Sequence, residues 1–276
     1  MIAKPLTLTR APQPQKRPLS RAQRATRLLL LALTAISGYA LVTMHTDHLN
    51  WATAFASFWH NLQLMIVHPH LGQDSWAALL QAFANTIALA MLTTLLGAFL
   101  AFFLALATAR PFAPKPLALA MRSLMAVIRA IPTILWVLVY ATVIGLGNEA
   151  AVVGLTFHSV AYLTKAFAEA METVPPAKLA ALRATGCGFW LTVRHALWPE
   201  VRASLLSWTF IRFEINFTNA VAVGAAAGTG GIGYNLFMAS AFNFDFQEVG
   251  LIVYLLLAFA ICLEFVAVRM RKHLTH

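Results

Sequence analysis

The residues best placed to do chemistry are polar groups buried in an apolar run. Between Ala203 and Gly228 the chain carries Arg212, Glu214, Asn216, Thr218 and Asn219. An ionisable side chain at mid-bilayer costs at least ~2.5–3.5 kcal/mol on insertion scales, so such groups turn toward protein or water. At 100° per residue, Arg212, Asn216 and Asn219 fall within about 60° of one another, while Glu214 and Thr218 point the opposite way. Two polar stripes on one helix cannot both face lipid. One is expected to line a path through the membrane and the other to meet a neighbouring helix. Arg129, in an earlier apolar segment, is a candidate partner for Glu214. The competing reading is that these charges only pin helix packing.

Other constellations fail on context. Gly228-Thr-Gly230-Gly-Ile-Gly233 fits the dinucleotide pattern G-x-G-x-x-G, but an apolar helical segment precedes it instead of a strand. Its glycines are expected to make a tight turn, with Gly224 and Gly228 allowing close helix packing. No lysine follows a glycine, so no phosphate-binding P-loop is possible and no nucleotide site is expected in this chain. His45, His48, His60, His68 and His70 cluster, but without the compact spacing to cysteines or acids that a metal site needs. Cys187 and Cys262 are expected to be unpaired small apolar fillers. The acids are scattered singly, so no catalytic set is expected.

The elements that hold these residues are set by composition. The chain is 60% hydrophobic and 11% charged, where a soluble domain carries about 25% charged residues. A hydrocarbon core about 30 Å thick needs roughly 20 apolar residues in a helix. Six segments qualify: Leu28–Met44, Thr86–Thr108, 117–145 broken by Pro132, 150–170, 203–228 and Val249–Val268. Residues 51–66, with Trp51, Phe55, Phe58, Trp59, Leu62, Met65 and Ile66 at helical spacing, predict an amphipathic helix on the outer membrane surface. The net charge of +10 is no nucleic-acid signature, because seven of the twenty basic residues sit in the first 27 positions, ahead of an apolar run. Lysine and arginine are absent from 45–76, 145–150 and 228–248 and present in the intervening connections. That alternation predicts six helices with both termini cytoplasmic. The expected organisation is a basic tail (1–27), a first span with a periplasmic amphipathic segment (28–74), and a transmembrane domain (75–276).

The longest basic connection, 171–202, is too apolar for a free loop, with Leu179, Leu182, Phe189, Trp190 and Trp198. Pro175-Pro176 favours a helix start. Gly186 and Gly188 interrupt the helix, a second begins at Phe189, and Pro199 is expected to stop it. Two short helices at a glycine bend outside the membrane are predicted.

This stretch resembles the EAA loop of binding-protein-dependent ABC importer permeases of the type I fold: Ala180-Ala181-Leu182, three residues, Gly186, then Pro199 thirteen residues later. Ala180 stands where the family carries glutamate. The resemblance implies that Leu179, Ala180, Ala181, Leu182, Gly186 and Pro199 belong to a coupling helix that docks on a separate cytoplasmic ATPase dimer. ATP and magnesium would be used there and not in this chain. It also implies a periplasmic substrate-binding protein, a second permease copy (identical or a close relative), and residence in a bacterial inner membrane. The phosphonate-type permeases look most similar, through Arg129-Ala-Ile-Pro-Thr133, Arg212-Phe-Glu214-x-Asn216, Gly224, Gly230-Gly-Ile-Gly233 and the ending Arg269-Met-Arg-Lys-His273, over about residues 75–273. That implies a phosphonate or related cargo such as phosphite. Thr218 departs from the arginine usual in that group. A self-contained secondary transporter would instead show two similar halves with broken helices, and a membrane enzyme a convergent catalytic set.

Overall fold

The computed structural model describes residues 20–43 and 50–274. The start of the basic tail, with Lys4, Arg10, Lys16 and Arg17, and the histidines His45 and His48 lie outside the described residues. Within them every regular element is helical. Contacts divide the chain into two units that meet between Ser57 and Phe58. The first unit holds α1 (Arg21–Thr43), in which no residue is buried and Leu28 to Leu31 are all exposed. Helix α2 (Trp51–Val67) runs across the division. It has 17 residues and coincides with the expected amphipathic segment.

The second unit is built on three long helices, α3 (Trp76–Leu106), α6 (Asn148–Glu172) and α9 (Trp198–Ala227). Ser75 caps α3, its hydroxyl accepting from the Ala78 amide at 3.2 Å, which satisfies one of the orphan donors of the first turn. Two apolar clusters bind the three helices together. One joins Ala101, Ala105, Leu163, Phe167, Val201 and Leu205, and the other Ala90, Leu155, Phe213, Phe217 and Ala220. The outward faces remain apolar, with Leu95, Phe99, Leu119, Val143, Leu257 and Phe265 each more than half exposed. A water-soluble surface rarely shows so much contiguous apolar area.

The third apolar segment is α4 (Lys115–Ala130) and α5 (Thr133–Ile144), bent by 88° between them. Pro132 is the cause. It has no N–H to donate, and it forces Ile131 out of helical geometry, to φ −92 and ψ 128. Trp136 spans the break, its indole N–H donating to the Ile128 carbonyl at 2.9 Å, one of the acceptors that the end of α4 leaves open.

After α6 come α7 (Pro176–Ala184) and α8 (Phe189–Thr192), then a π-helical turn over Val193–Leu197 that runs straight into α9. Pro199 therefore does not stop a helix. It is the second residue of α9, directly after the π-helical turn with which the helix continues past it. After α9 the chain does more than turn. Helix α10 (Gly231–Phe237) doubles back along α9 so closely that a Cβ at Gly233 would lie 1.9 Å from the Val221 carbonyl oxygen. A second π-helical turn, Met238–Phe242, leads on to α11 (Phe246–Leu274). The start of α11 packs on the end of α2, where the Tyr254 hydroxyl donates to the Ile66 carbonyl at 2.7 Å.

Among the described residues, four helices are long and apolar enough to cross a membrane: α1, α3, α6 and α11. Counting the bent α4–α5 pair as one broken span makes up to five. Six were expected. Helix α9 has the length, at 30 residues, but Arg212, Glu214, Asn216 and Asn219 dilute its apolar character.

Candidate functional site

The polar residues of α9 divide by face. Arg212 and Asn216 are buried, at 1% and 0% exposure, between α9, α6 and α3. Ser159 on α6 joins them: its Oγ accepts from Arg212 Nε at 3.0 Å and from Asn216 Nδ2 at 2.9 Å, and donates to the Leu155 carbonyl at 2.6 Å. Asn216 Nδ2 also lies 2.9 Å from Thr94 Oγ1 and 3.3 Å from Thr93 Oγ1 on α3. Arg212 Nη2 lies 3.0 Å from His158 Nδ1, which Thr133 Oγ1 approaches at 3.2 Å. A guanidinium only donates, so Nδ1 holds a lone pair and the ring proton belongs on Nε2. The guanidinium also stands 5.1 Å from the centre of the Tyr162 ring, an attraction that strengthens where water is excluded.

This junction holds a cation among hydroxyls, an amide, an imidazole and an aromatic face. Its donors are engaged by fixed acceptors from two other helices, which suits it to brace three spans. Among the described residues, no group of three or more His, Cys, Asp or Glu is placed to hold a metal ion. His70 Nε2 is 4.0 Å from Asp245 Oδ2, just before α11.

On the other face of α9, Thr218 is exposed and its hydroxyl donates to the Glu214 carbonyl at 3.2 Å. Glu214 on this face is half-buried, and so is Asn219, which lies on the Arg212 side of the helix. Arg129 is half-buried on α4, its Nε donating to the Met125 carbonyl at 3.3 Å. The structure thus gathers Arg212 and Asn216 and turns Thr218 outward. Residue-by-residue reading missed Thr93, Thr94, His158 and Ser159. The signal was present as two polar doublets inside otherwise apolar spans.

The second candidate is the α7–α8 knob. Leu179 is 3% exposed and Leu182 packs on the same apolar cluster. Three contacts fasten the knob to the body. Arg183 Nη2 donates to the Pro111 carbonyl at 2.7 Å, Lys178 pairs with Glu200 at the start of α9, and the Phe112 and Phe189 rings meet edge to face at 6.1 Å. Gly186 sits at the bend with φ +77, a left-handed conformation open to glycine and strained for branched residues. Ala180, Ala181, Phe189, Trp190 and Leu191 remain exposed.

Residues 97–276 match the family of binding-protein-dependent transport system inner membrane components. The chain belongs to that family. The permease, an all-α multi-pass membrane protein, is 30% identical over 203 residues to a phosphite transport system permease of Stutzerimonas stutzeri, covering 73% of this chain and 72% of that one. It is 31% identical over 185 residues to a phosphate-import permease of Mycolicibacterium smegmatis, 66% of this chain but only 35% of that relative's length. Its fold matches a chain of the inward-facing MetNI methionine ABC transporter, with a TM-score of 0.66 at 21% identity, over 75% of the permease and 100% of that chain. Family and fold are those of ABC importer permease subunits.

Proposed function

We propose that the permease carries a phosphorus oxyanion, a phosphonate or phosphite, into the cytoplasm as one half of a dimeric ABC importer pore. The observation that carries this reading is the knob: two short helices held to the body at three points, with their apolar outer face left open. A surface so anchored can pass on a push, and a soluble partner would cover Ala180, Ala181, Phe189 and Trp190. That partner is a cytoplasmic ATPase dimer, which supplies the energy and binds the ATP and magnesium. A periplasmic binding protein delivers the cargo at the opposite end. Helix α9 serves as the sixth span, its Arg212–Asn216 face braced inward and its Glu214–Thr218 face toward the path. Both termini lie in the cytoplasm, and α2 lies at the periplasmic surface.

Two relatives named for phosphate and phosphite support the cargo class. The test is deletion of the gene in a strain with no redundant importer, followed by growth on phosphonate or phosphite as sole phosphorus source. Loss of growth and uptake is expected, restored by the wild-type gene. Unchanged uptake of both compounds would remove the cargo assignment. Co-purification of an ATPase with the permease tests the partner separately.

A further inference from the structure

We propose that the cavity between α4 and α6 is a binding site for a phosphate-class oxyanion group. The cavity has a volume of about 130 Å³ and is lined by Thr108, Arg122, Met125, Arg129, Lys165, Ala168 and Glu169. About 10–15 Å³ of such free space holds one water, so the cavity has room for a tetrahedral oxyanion. Three cations and one carboxylate face this space.

The cations are not equally engaged. Arg122 is committed to Glu172, which also accepts from the Arg110 amide at 2.8 Å. Lys165 stands 3.5 Å from Glu169 one helical turn away, and both side chains are about half exposed, a pairing that holds little energy. Arg129 gives its Nε to the Met125 carbonyl, and among the described residues no carboxylate lies within ion-pair distance of it. Its terminal nitrogens are therefore available as a planar fork, the geometry that takes two oxygens of a phosphate at once. A guanidinium in a membrane protein turns toward a partner or a polar cavity, and this cavity is the one that Arg129 lines. Lys165, one helix away, supplies the second charge.

The same chemistry can come from an anionic lipid headgroup or from a soluble oxyanion, and two measurements on the full-length purified permease separate them. In the first, the protein is equilibrated with phosphatidylglycerol or phosphatidylcholine, and retained lipid is counted by native mass spectrometry. In the second, inorganic phosphate is titrated into protein held in phosphatidylcholine, and thermal unfolding is followed. Retention of phosphatidylglycerol over phosphatidylcholine assigns the site to lipid, and saturable stabilisation by phosphate assigns it to a soluble anion. Either response should weaken about tenfold or more in Arg129→Gln, as loss of a charge-assisted pair implies. Arg129→Lys should recover part of it, since charge returns without the fork. If neither arm shows binding, or Arg129→Gln binds as wild type, the proposal is overturned. Should Arg129→Gln fail to fold, Lys165→Gln, a half-exposed position, decides by the same two readouts.

Discussion

Arg183 on α7 donates to the carbonyl of Pro111, in the connection between α3 and α4, across 72 positions of sequence at 2.7 Å. The contact ties the knob to the end of one long span, while Lys178 and Glu200 tie it to the start of another. A force applied to α7 would reach both. Arg183→Gln should leave the permease in the membrane at normal abundance but reduce ATP-driven transport severalfold. Vesicle uptake alongside immunoblot quantification would settle it, and full uptake would count against the tether.

Gly186 sets a stricter test of the same element. No atom lies within 4 Å of where its Cβ would be, so any penalty comes from the left-handed backbone and not from a clash. Gly186→Val should cost roughly 1–2 kcal/mol locally and weaken ATPase association. Gly186→Asn should be tolerated better, because asparagine visits this region more readily. Equal association of both variants would show that the bend's conformation is irrelevant to docking.

Ser159 is the shared acceptor of the buried junction. Ser159→Ala leaves Arg212 Nε and Asn216 short of a partner away from water, at a cost of about 1–3 kcal/mol. A lower thermal midpoint in detergent is the expected result. Replacing the cation as well, in Ser159→Ala with Arg212→Met, should recover much of the loss, since apolar substitutes for buried charge are often neutral or better. A double variant less stable than Ser159→Ala alone would mean that Arg212 stabilises through other contacts.

Gly233 and Gly38 form a contrasting pair. A Cβ at Gly233 would overlap the Val221 carbonyl, a backbone group that cannot swing aside, whereas nothing lies within 4 Å at Gly38 on α1. Gly233→Ala should sharply lower the yield of monodisperse protein, and Gly38→Ala should leave it unchanged. Size-exclusion chromatography of the two, expressed side by side, makes the comparison.

Much of the helical layout could be read directly from the chain. Four spans and a fifth, bent one follow from apolar length, and the break at Pro132 from a missing donor; the sixth expected span, α9, does not qualify on that ground. What could not be read was direction. Proline announces a break but not an 88° bend, because the angle depends on what the following helix packs against. The glycines after Gly224 permit a turn, yet nothing local says that α10 will fold back along α9. Arg212 and Asn216 were visible as a stripe, but their partners Ser159, His158, Thr93 and Thr94 lie 53 to 123 positions away and meet them only through packing. Pro199 shows the reverse error: a residue expected to end a helix instead follows a π-helical turn, and the helix continues through it.

The π-helical turn at Val193–Leu197 has a consequence for phase. A π turn accommodates one residue more than an α turn, and each residue advances an α-helix by about 100° and 1.5 Å. The azimuth of the knob relative to α9 is therefore offset by nearly a third of a revolution from what an unbroken helix would give. Phe189 and Trp190 face outward while Arg212, about four turns along α9, faces inward, and both orientations depend on that one extra residue. Removing a residue between Val193 and Leu197 would leave every side chain on α8 and α9 intact, yet make one of those two faces point the wrong way.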